Sequence, residues 1–276
     1  MMDPVVLEKL HEVLLEIMDE FIRICKKYNL DYFFIGGTLL GAVRHKGFIP
    51  WDDDIDIGMT RDMYEKFLEV CETELDKKYY LLSYKSDRCW LPFVKICKHN
   101  TLFREPFFTT TEDKGISIDV FPYDKTIKMF LFRAIQEFIL ENLKNLIKVK
   151  MRIQNGERKS LIKRFAASLF SYRQLQSWRH KLMMIFNKKK RYNYITLWGE
   201  GGFRKETFHK DVFFPTVELM FEGKYYHVPN NWHHWLSCYY GDDYMSLPPV
   251  EKRWDHEPLQ IIFDTDGKEN DYSVGE

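Results

Sequence analysis

With 276 residues, 45% of them hydrophobic and 30% charged, the chain is long enough for a sizeable core, and its balance excludes the disordered and fibrous classes. Its 41 basic and 41 acidic residues cancel, but unevenly: Lys125 to Arg191 holds 18 Lys or Arg against Glu137, Glu141 and Glu157, an excess of 15 that suggests an anionic partner for that segment. The five cysteines are odd in number, scattered and without a Cys-x-x-Cys pair, which argues against a disulfide framework and for a reducing, cytoplasmic compartment.

No secretory leader is expected at the Met-Met-Asp-Pro opening, and no apolar run approaches a membrane span. Val6, Leu7, Leu10, Val13, Leu14, Ile17, Phe21 and Ile24 recur at helical spacing after Pro4 and predict an amphipathic helix ending near Tyr28 and Asn29. The aromatic run from Asp31 to Ile35 predicts a buried strand that stops at Gly36 and Gly37. Thr38 to Arg44 then reads as a short helix with its first N–H groups beside the glycine pair. Ile55, Ile57 and Met59 alternate with Asp54, Asp56 and Gly58, so a strand there turns both aspartates to one face.

Thr60 is placed to cap a helix from Arg61 to about Leu75, buried through Met63, Tyr64, Phe67, Leu68 and Cys71. Strands are expected over 79–83, 92–98, 101–105 and 116–121, the last holding Asp119 between Ile118 and Val120. The basic segment reads as helices over 126–154 and 160–187, broken at Asn155 and Gly156. A hairpin about Glu222 and Gly223 follows, then a helix from Asn230 to Tyr240 ending at Gly241. The polar, acidic tail after Pro258 is expected to be poorly ordered. The pattern predicts an α+β (α/β) fold with a mixed twisted sheet flanked by helices. It divides into a catalytic core over 1–124, a basic helical insertion over 125–191, and a part over 192–276 that completes the catalytic domain.

Between Gly36 and Gly58 the chain packs Asp52, Asp53, Asp54 and Asp56 into five positions. Carboxylates so close repel one another and are costly to desolvate, so a fold tolerates them best around a cation. A solvated acidic loop would carry Ser, Gly or Lys, whereas Trp51, Ile55 and Ile57 interleave these acids. An EF-hand fails, because its required glycine is Ile57 and its bidentate glutamate Met63. An Asp-x-Asp glycosyltransferase motif at Asp54 and Asp56 leaves the glycine pair and Asp119 unexplained. A nucleotidyltransferase-type site accounts for all three features. Gly36 and Gly37 let backbone approach a phosphate at a helix N-terminus, and Asp54, Asp56 and Asp119 hold one or two magnesium ions for in-line displacement at phosphorus.

The stretch from Gly37 through Arg44, His45, Lys46, Gly47, Pro50 and Trp51 to Asp56 resembles the signature of the LicD family of phosphotransferases, relatives of the fukutin proteins. Ile116 to Pro122 agrees, as do Pro215 onward, Tyr240 to Met245, Leu247 to Pro249, Lys252, Arg253 and His256. The resemblance implies a nucleotidyltransferase fold and transfer of phosphocholine, or another phospho-alcohol, from a CDP-linked donor to a sugar hydroxyl on a surface glycan such as teichoic acid or lipopolysaccharide. It implies that Asp54 and Asp56 are the first metal ligands and that Asp119 completes the site and helps remove the acceptor proton. The cofactor is then Mg2+, with Mn2+ the alternative. The gap from Gly37 to Asp54 exceeds that of generic nucleotidyltransferases, and Thr60 stands where the family often has proline.

Arg44 as a catalytic cation, with Gly36, Gly37, Thr38, His45, Lys46, Lys252, Arg253 and His256 as substrate-binding residues, would meet the charge that builds on departing CMP. Trp232, Trp235, Tyr239, Tyr240 and Trp254 read as core, or as an aromatic cage if the donor carries choline. Phe130, Phe132, Ile135, Phe138, Ile139, Leu143 and Ile147 beside Lys and Arg resemble an interfacial helix, which suggests peripheral contact with anionic membrane at its inner face, near a lipid-linked glycan acceptor. The rivals are a nucleotidyltransferase that releases pyrophosphate and a silent glycan- or membrane-binding scaffold. No nucleic-acid module is recognisable.

Overall fold

Asp3 opens the first helix, α1 (Pro4–Tyr28), by accepting the N–H groups of Val5 and Val6 on its carboxylate, and Asn29 closes it in the left-handed conformation. The apolar stripe of α1 is buried from Val6 to Cys25, as its spacing predicts. The structure, a computed structural model, describes residues 2–84, 89–105, 114–154, 169–189, 191–198, 202–253, 258–265 and 271–273. From α1 the chain enters a short strand β1 (Phe33–Phe34), then α2 (Gly36–Arg44), β2 (Asp56–Thr60) and α3 (Arg61–Glu74).

Strands β3 (Tyr79–Leu82), β4 (Val94–Lys98), β5 (Leu102–Arg104) and β6 (Ser117–Thr126) follow. The central sheet has the order β1-β2-β6-β4-β3, with β2 and β6 parallel and the other neighbours antiparallel. Beyond β6 come α4 (Phe130–Gln154), α5 (Tyr172–Met183), β7 (Tyr194–Thr196), α6 (Gly202–Glu206) and β8 (Thr207–His209). Strand β7 joins the far end of β6 and carries β8 on its other edge. A hairpin of β9 (Val217–Phe221) and β10 (Lys224–Val228) turns at Glu222 and Gly223, both at positive φ as a tight hairpin requires. Helix α7 (Trp232–Tyr240), β11 (Gln260–Ile262) and β12 (Asp271–Ser273) complete the described chain. The result is the mixed α+β architecture that the sequence pattern predicts, consistent with a nucleotidyltransferase-like fold.

Four local expectations change. Strand β6 runs past Pro122 to Thr126, where the sequence pattern predicts an end at Phe121. Pro122 lacks an N–H but sits where the antiparallel partner changes, between the last β4 pair at Val120 and the first β7 pair at Asp124, so no ladder bond is lost there. Thr60 precedes α3 without a capping side-chain bond, and Arg61 is buried while Met63 is only half-buried. The tail after Pro258 is not simply irregular: β11 pairs with both β5 and β12, because Ile261 and Phe263 share a face that buries against the core. Helix α4 begins at Phe130 rather than Thr126, since Thr126 is held in β6, and the predicted break at Asn155 and Gly156 lies outside the described residues.

Candidate active site

The acidic loop is delivered by local sequence. Phe33 and Phe34 are fully buried and pair with Gly58 and Ile57, which pins β1 beside β2 and swings Gly36 and Gly37 against the acids. Gly36 has φ +56°, and a Cβ there would lie 2.6 Å from Oδ2 of Asp56. A Cβ on Gly37 would lie 2.6 Å from Oδ2 of Asp52. The glycines therefore clear room for carboxylates at the start of α2 as well as for any phosphate that approaches it. Thr38 is buried, and its hydroxyl accepts the Asp56 N–H at 2.8 Å, so it fixes the start of β2 rather than facing the open cleft.

Asp56 and Asp119 are partners on the parallel strands β2 and β6, and Lys95 of β4 is the partner of Asp119 on the other side. Residues opposite one another in a sheet share a face, so Asp56, Asp119 and Lys95 form one row across three strands. Lys95 Nζ donates to both carboxylate oxygens of Asp119, at 2.6 and 2.7 Å. Asp54 is not in β2 as expected but in the loop before it. It reaches the same place, since Asp53, Asp54, Lys95, Glu105, Lys114 and Asp119 line one small cleft of about 30 Å³. The carboxyl of Asp56 is pushed well above the usual carboxylate range, first by burial and then by Asp54, Asp119 and Asp52. Burial alone would lower the Lys95 ammonium, but Asp119 and Glu105 raise it on balance.

Lys95 is a residue of the candidate site that sequence reasoning misses. Its signal is a lone cation inside the apolar alternation Val94, Ile96, Cys97, the counterpart of Asp119 between Ile118 and Val120. His11 is another: its ring stacks on Phe48 at 3.7 Å and its Nε2 lies 2.7 Å from the Asp52 carbonyl oxygen, so α1 braces the acidic loop from below. Glu222 does the same from the hairpin by accepting the Phe48 N–H.

Arg44, half-buried at the far end of α2, donates to the carbonyls of Tyr244 and Ser246 and so ties the C-terminal block to the acidic loop. Burial lowers its basicity, and burial with the Arg44 charge lowers that of His45. Lys46 is exposed in a left-handed turn. Arg253 lies over the ring of Trp51, the residue before Asp52 in the chain, at 4.6 Å and donates to the Pro248 carbonyl, while Lys252 is exposed beside it. His256 and Trp254 lie outside the described residues. Trp235 is core, stacked on Tyr239. The Tyr240 phenol is pushed up by desolvation and then by Tyr239, Asp52, Asp56 and Asp54, so the end of α7 is within electrostatic range of the acids.

The donor set suits a hard divalent cation: clustered carboxylates, Asp56 strongly disfavoured as an anion, and glycines that leave space at their oxygens. Among the described residues no three acidic, imidazole or thiol groups converge closely enough to chelate one as they stand, and Lys95 already spans both Asp119 oxygens. The carboxylate chemistry suits a divalent cation, and Asp119 would take part only by sharing its oxygens with Lys95.

Residues 29–152, which include Asp54, Asp56, Lys95 and Asp119, match the family described as LicD/FKTN/FKRP, nucleotidyltransferase domain. The chain is 31% identical over 266 residues to the lipopolysaccharide cholinephosphotransferase LicD of Haemophilus influenzae, an alignment that covers 88% of this chain and 93% of that protein. Shorter matches join it to uncharacterised proteins of Rickettsia prowazekii, 39% identical over 26% of this chain and 27% of that protein, and Rickettsia typhi, 44% identical over 21% and 18%. A likeness that runs through nearly the whole Haemophilus protein, together with the domain match over the acidic row, means that this chain belongs to the LicD family.

Proposed function

We propose that this chain is a metal-dependent phosphotransferase. It moves a phospho-alcohol, phosphocholine first among them, from a CDP-activated donor to a sugar hydroxyl of a cell-surface glycan such as lipopolysaccharide or teichoic acid, or of its lipid-linked precursor. The observation that carries the reading is the Asp56–Asp119 rung with Asp54 on the same cleft, in a chain aligned along 93% of a lipopolysaccharide cholinephosphotransferase. The reaction belongs at the inner face of the membrane, where a cytoplasmic nucleotide donor and a lipid-linked acceptor can meet. Nucleic acid is not a partner.

Asp54, Asp56 and Asp119 would hold Mg2+, or Mn2+ in its place. When bound, the cation supplies positive charge to the donor phosphates and to the departing CMP. The rest of the work falls to the chain. The N–H groups at Gly36 and Gly37 receive the diphosphate at the N-terminus of α2. An Oδ atom of Asp119, oriented by Lys95, accepts the proton of the attacking sugar hydroxyl. Arg253, held over Trp51, and Lys252 beside it close the C-terminal block over the donor, with His256, three residues after Arg253 in the sequence, as a further donor contact. Arg44, His45 and Lys46 set the positive field at the other side of the loop.

The test incubates the protein with magnesium, a glycan acceptor and a panel of CDP-linked alcohols, and reads CMP release together with the mass of the glycan product. Magnesium-dependent CMP and a glycan heavier by one phospho-alcohol are expected. Pyrophosphate and a nucleotidylated product would replace this reading with nucleotidyl transfer. Full activity in Asp54→Asn and Asp56→Asn proteins would overturn the site.

A further inference from the structure

Helix α4 is apolar on two different faces. Its C-terminal half buries Ile147 and Met151 against Tyr172 and Leu175 of α5, and Leu140 and Gln136 also point inward. Its first three turns do the reverse. Leu131, Phe132, Ile135, Phe138 and Ile139 are 65, 52, 49, 70 and 41% exposed, and 131, 135, 138 and 139 follow the i, i+4, i+7, i+8 spacing of one continuous stripe. Single exposed apolar residues are ordinary, but a contiguous stripe of this kind marks a surface that another phase or partner covers. The stripe stops at Asn142 and Asn145, both exposed. Exposed cations flank its N-terminal end: Lys128 stands just before the helix, and Arg204 lies over the Phe130 ring at 5.2 Å.

We infer that the first three turns of α4 are a membrane-docking surface for anionic lipid. The aromatic and aliphatic side chains enter the headgroup boundary, and the flanking Lys and Arg meet lipid phosphates. The charge of the segment selects this occupant. Residues 125–191 carry an excess of 15 positive charges in sequence, so a second copy docking through α4 would bring two such basic segments near one another against their repulsion, whereas an anionic bilayer complements them. Only residues 127–129 separate α4 from β6, so the surface is coupled through a short connection to the strand that carries Asp119. The inference deepens the proposed function by naming the face that meets a lipid-linked acceptor. Its test uses neither donor nor acceptor, so its failure leaves the chemistry standing.

The experiment is co-sedimentation of the full chain with vesicles of phosphatidylcholine alone and of phosphatidylcholine with phosphatidylglycerol, at low and high salt. The Phe132→Ser, Phe138→Ser double variant and Lys128→Glu are run alongside, with thermal melts and light scattering. The wild type should pellet with the anionic vesicles and be released by salt. The double variant should partition at least about tenfold less, and Lys128→Glu roughly fivefold less, with melting temperatures unchanged because these side chains face outward. No pelleting, equal pelleting with both vesicles, or pelleting that the double variant leaves unchanged overturns the inference. A wild-type dimer that the double variant turns into a monomer overturns it too, by making a second copy the occupant.

Discussion

Strand β6 carries two buried aspartates five residues apart, and each faces a buried cation, yet the two sites are built for different ends. Asp124 has no exposed surface and accepts from Nε and Nη2 of Arg61 at 2.8 and 2.7 Å and from the Asn187 amide at 2.5 Å. That cage buries both partners and matches their charges in a fork geometry. Asp119 instead meets the single ammonium of Lys95, opens on a cleft, and has Asp56 as its neighbour in the sheet and Asp54 beside it in the cleft. The difference teaches how to tell a structural ion pair from a candidate functional one: the first gives both carboxylate oxygens donors in a buried cage, and the second leaves a row of like charges side by side.

The largest effect should come from opening the buried cage. Asp124→Ala leaves the buried Arg61 with only the part-exposed Glu65 as counter-charge and should cost about 3–5 kcal/mol in chemical denaturation, lowering activity only as far as folded protein is lost. Asp119→Asn and Asp56→Asn should act on activity beyond any loss of folded protein. Transfer should fall by at least a hundredfold, about 2.7 kcal/mol of barrier. Melting temperature should rise for Asp56→Asn, because a repelled buried charge is removed, and fall for Asp119→Asn, which leaves the buried Lys95 ammonium without its main counter-charge. An Asp56→Asn protein that melts far below wild type would erase the contrast.

Lys95→Met sits between these extremes. Its partner can rehydrate through the cleft, so the cost should be roughly 1.5–3 kcal/mol rather than that of the Arg61 cage. A double-mutant cycle with Asp119→Asn should recover part of it. The smallest effect is expected at Lys98, three residues along β4, whose ammonium pairs with the part-exposed Glu16. Burial works to raise the Glu16 carboxyl, but hydrogen bonds from Lys98 and Tyr79 lower it on balance. A depressed carboxylate contributes stability above its unfolded pKa of about 4.3 and loses it as pH falls through the folded value. Glu16→Gln should therefore cost less than about 1 kcal/mol at neutral pH and nothing in acid, read from melts across that range.

Much of the site is legible in the amino-acid sequence. The acids, the glycine pair and Asp119 stand out because polar residues interrupt apolar alternation, and α1, α3 and the hairpin at Glu222 are readable from periodicity and turn chemistry. The rest is not, for identifiable reasons. Asp54 reads as a strand residue because alternation cannot show where pairing begins. The β11 strand hides in a polar tail because its partner β5 lies more than 150 residues earlier. Arg44 reads as a free cation because nothing local shows that it holds the carbonyls of Tyr244 and Ser246.

The sequence by itself determined the element types, the acidic loop and the three candidate ligand carboxylates, since each follows from local spacing and from the cost of crowding like charges. Tertiary structure alone decided that Asp56 and Asp119 share a rung, that Lys95 completes the row, and that Arg253 comes to rest on Trp51. Those facts depend on strand register and chain return over long separations, where the entropy of closing the loop and the burial of whole faces act, and neither is written in any short window of residues.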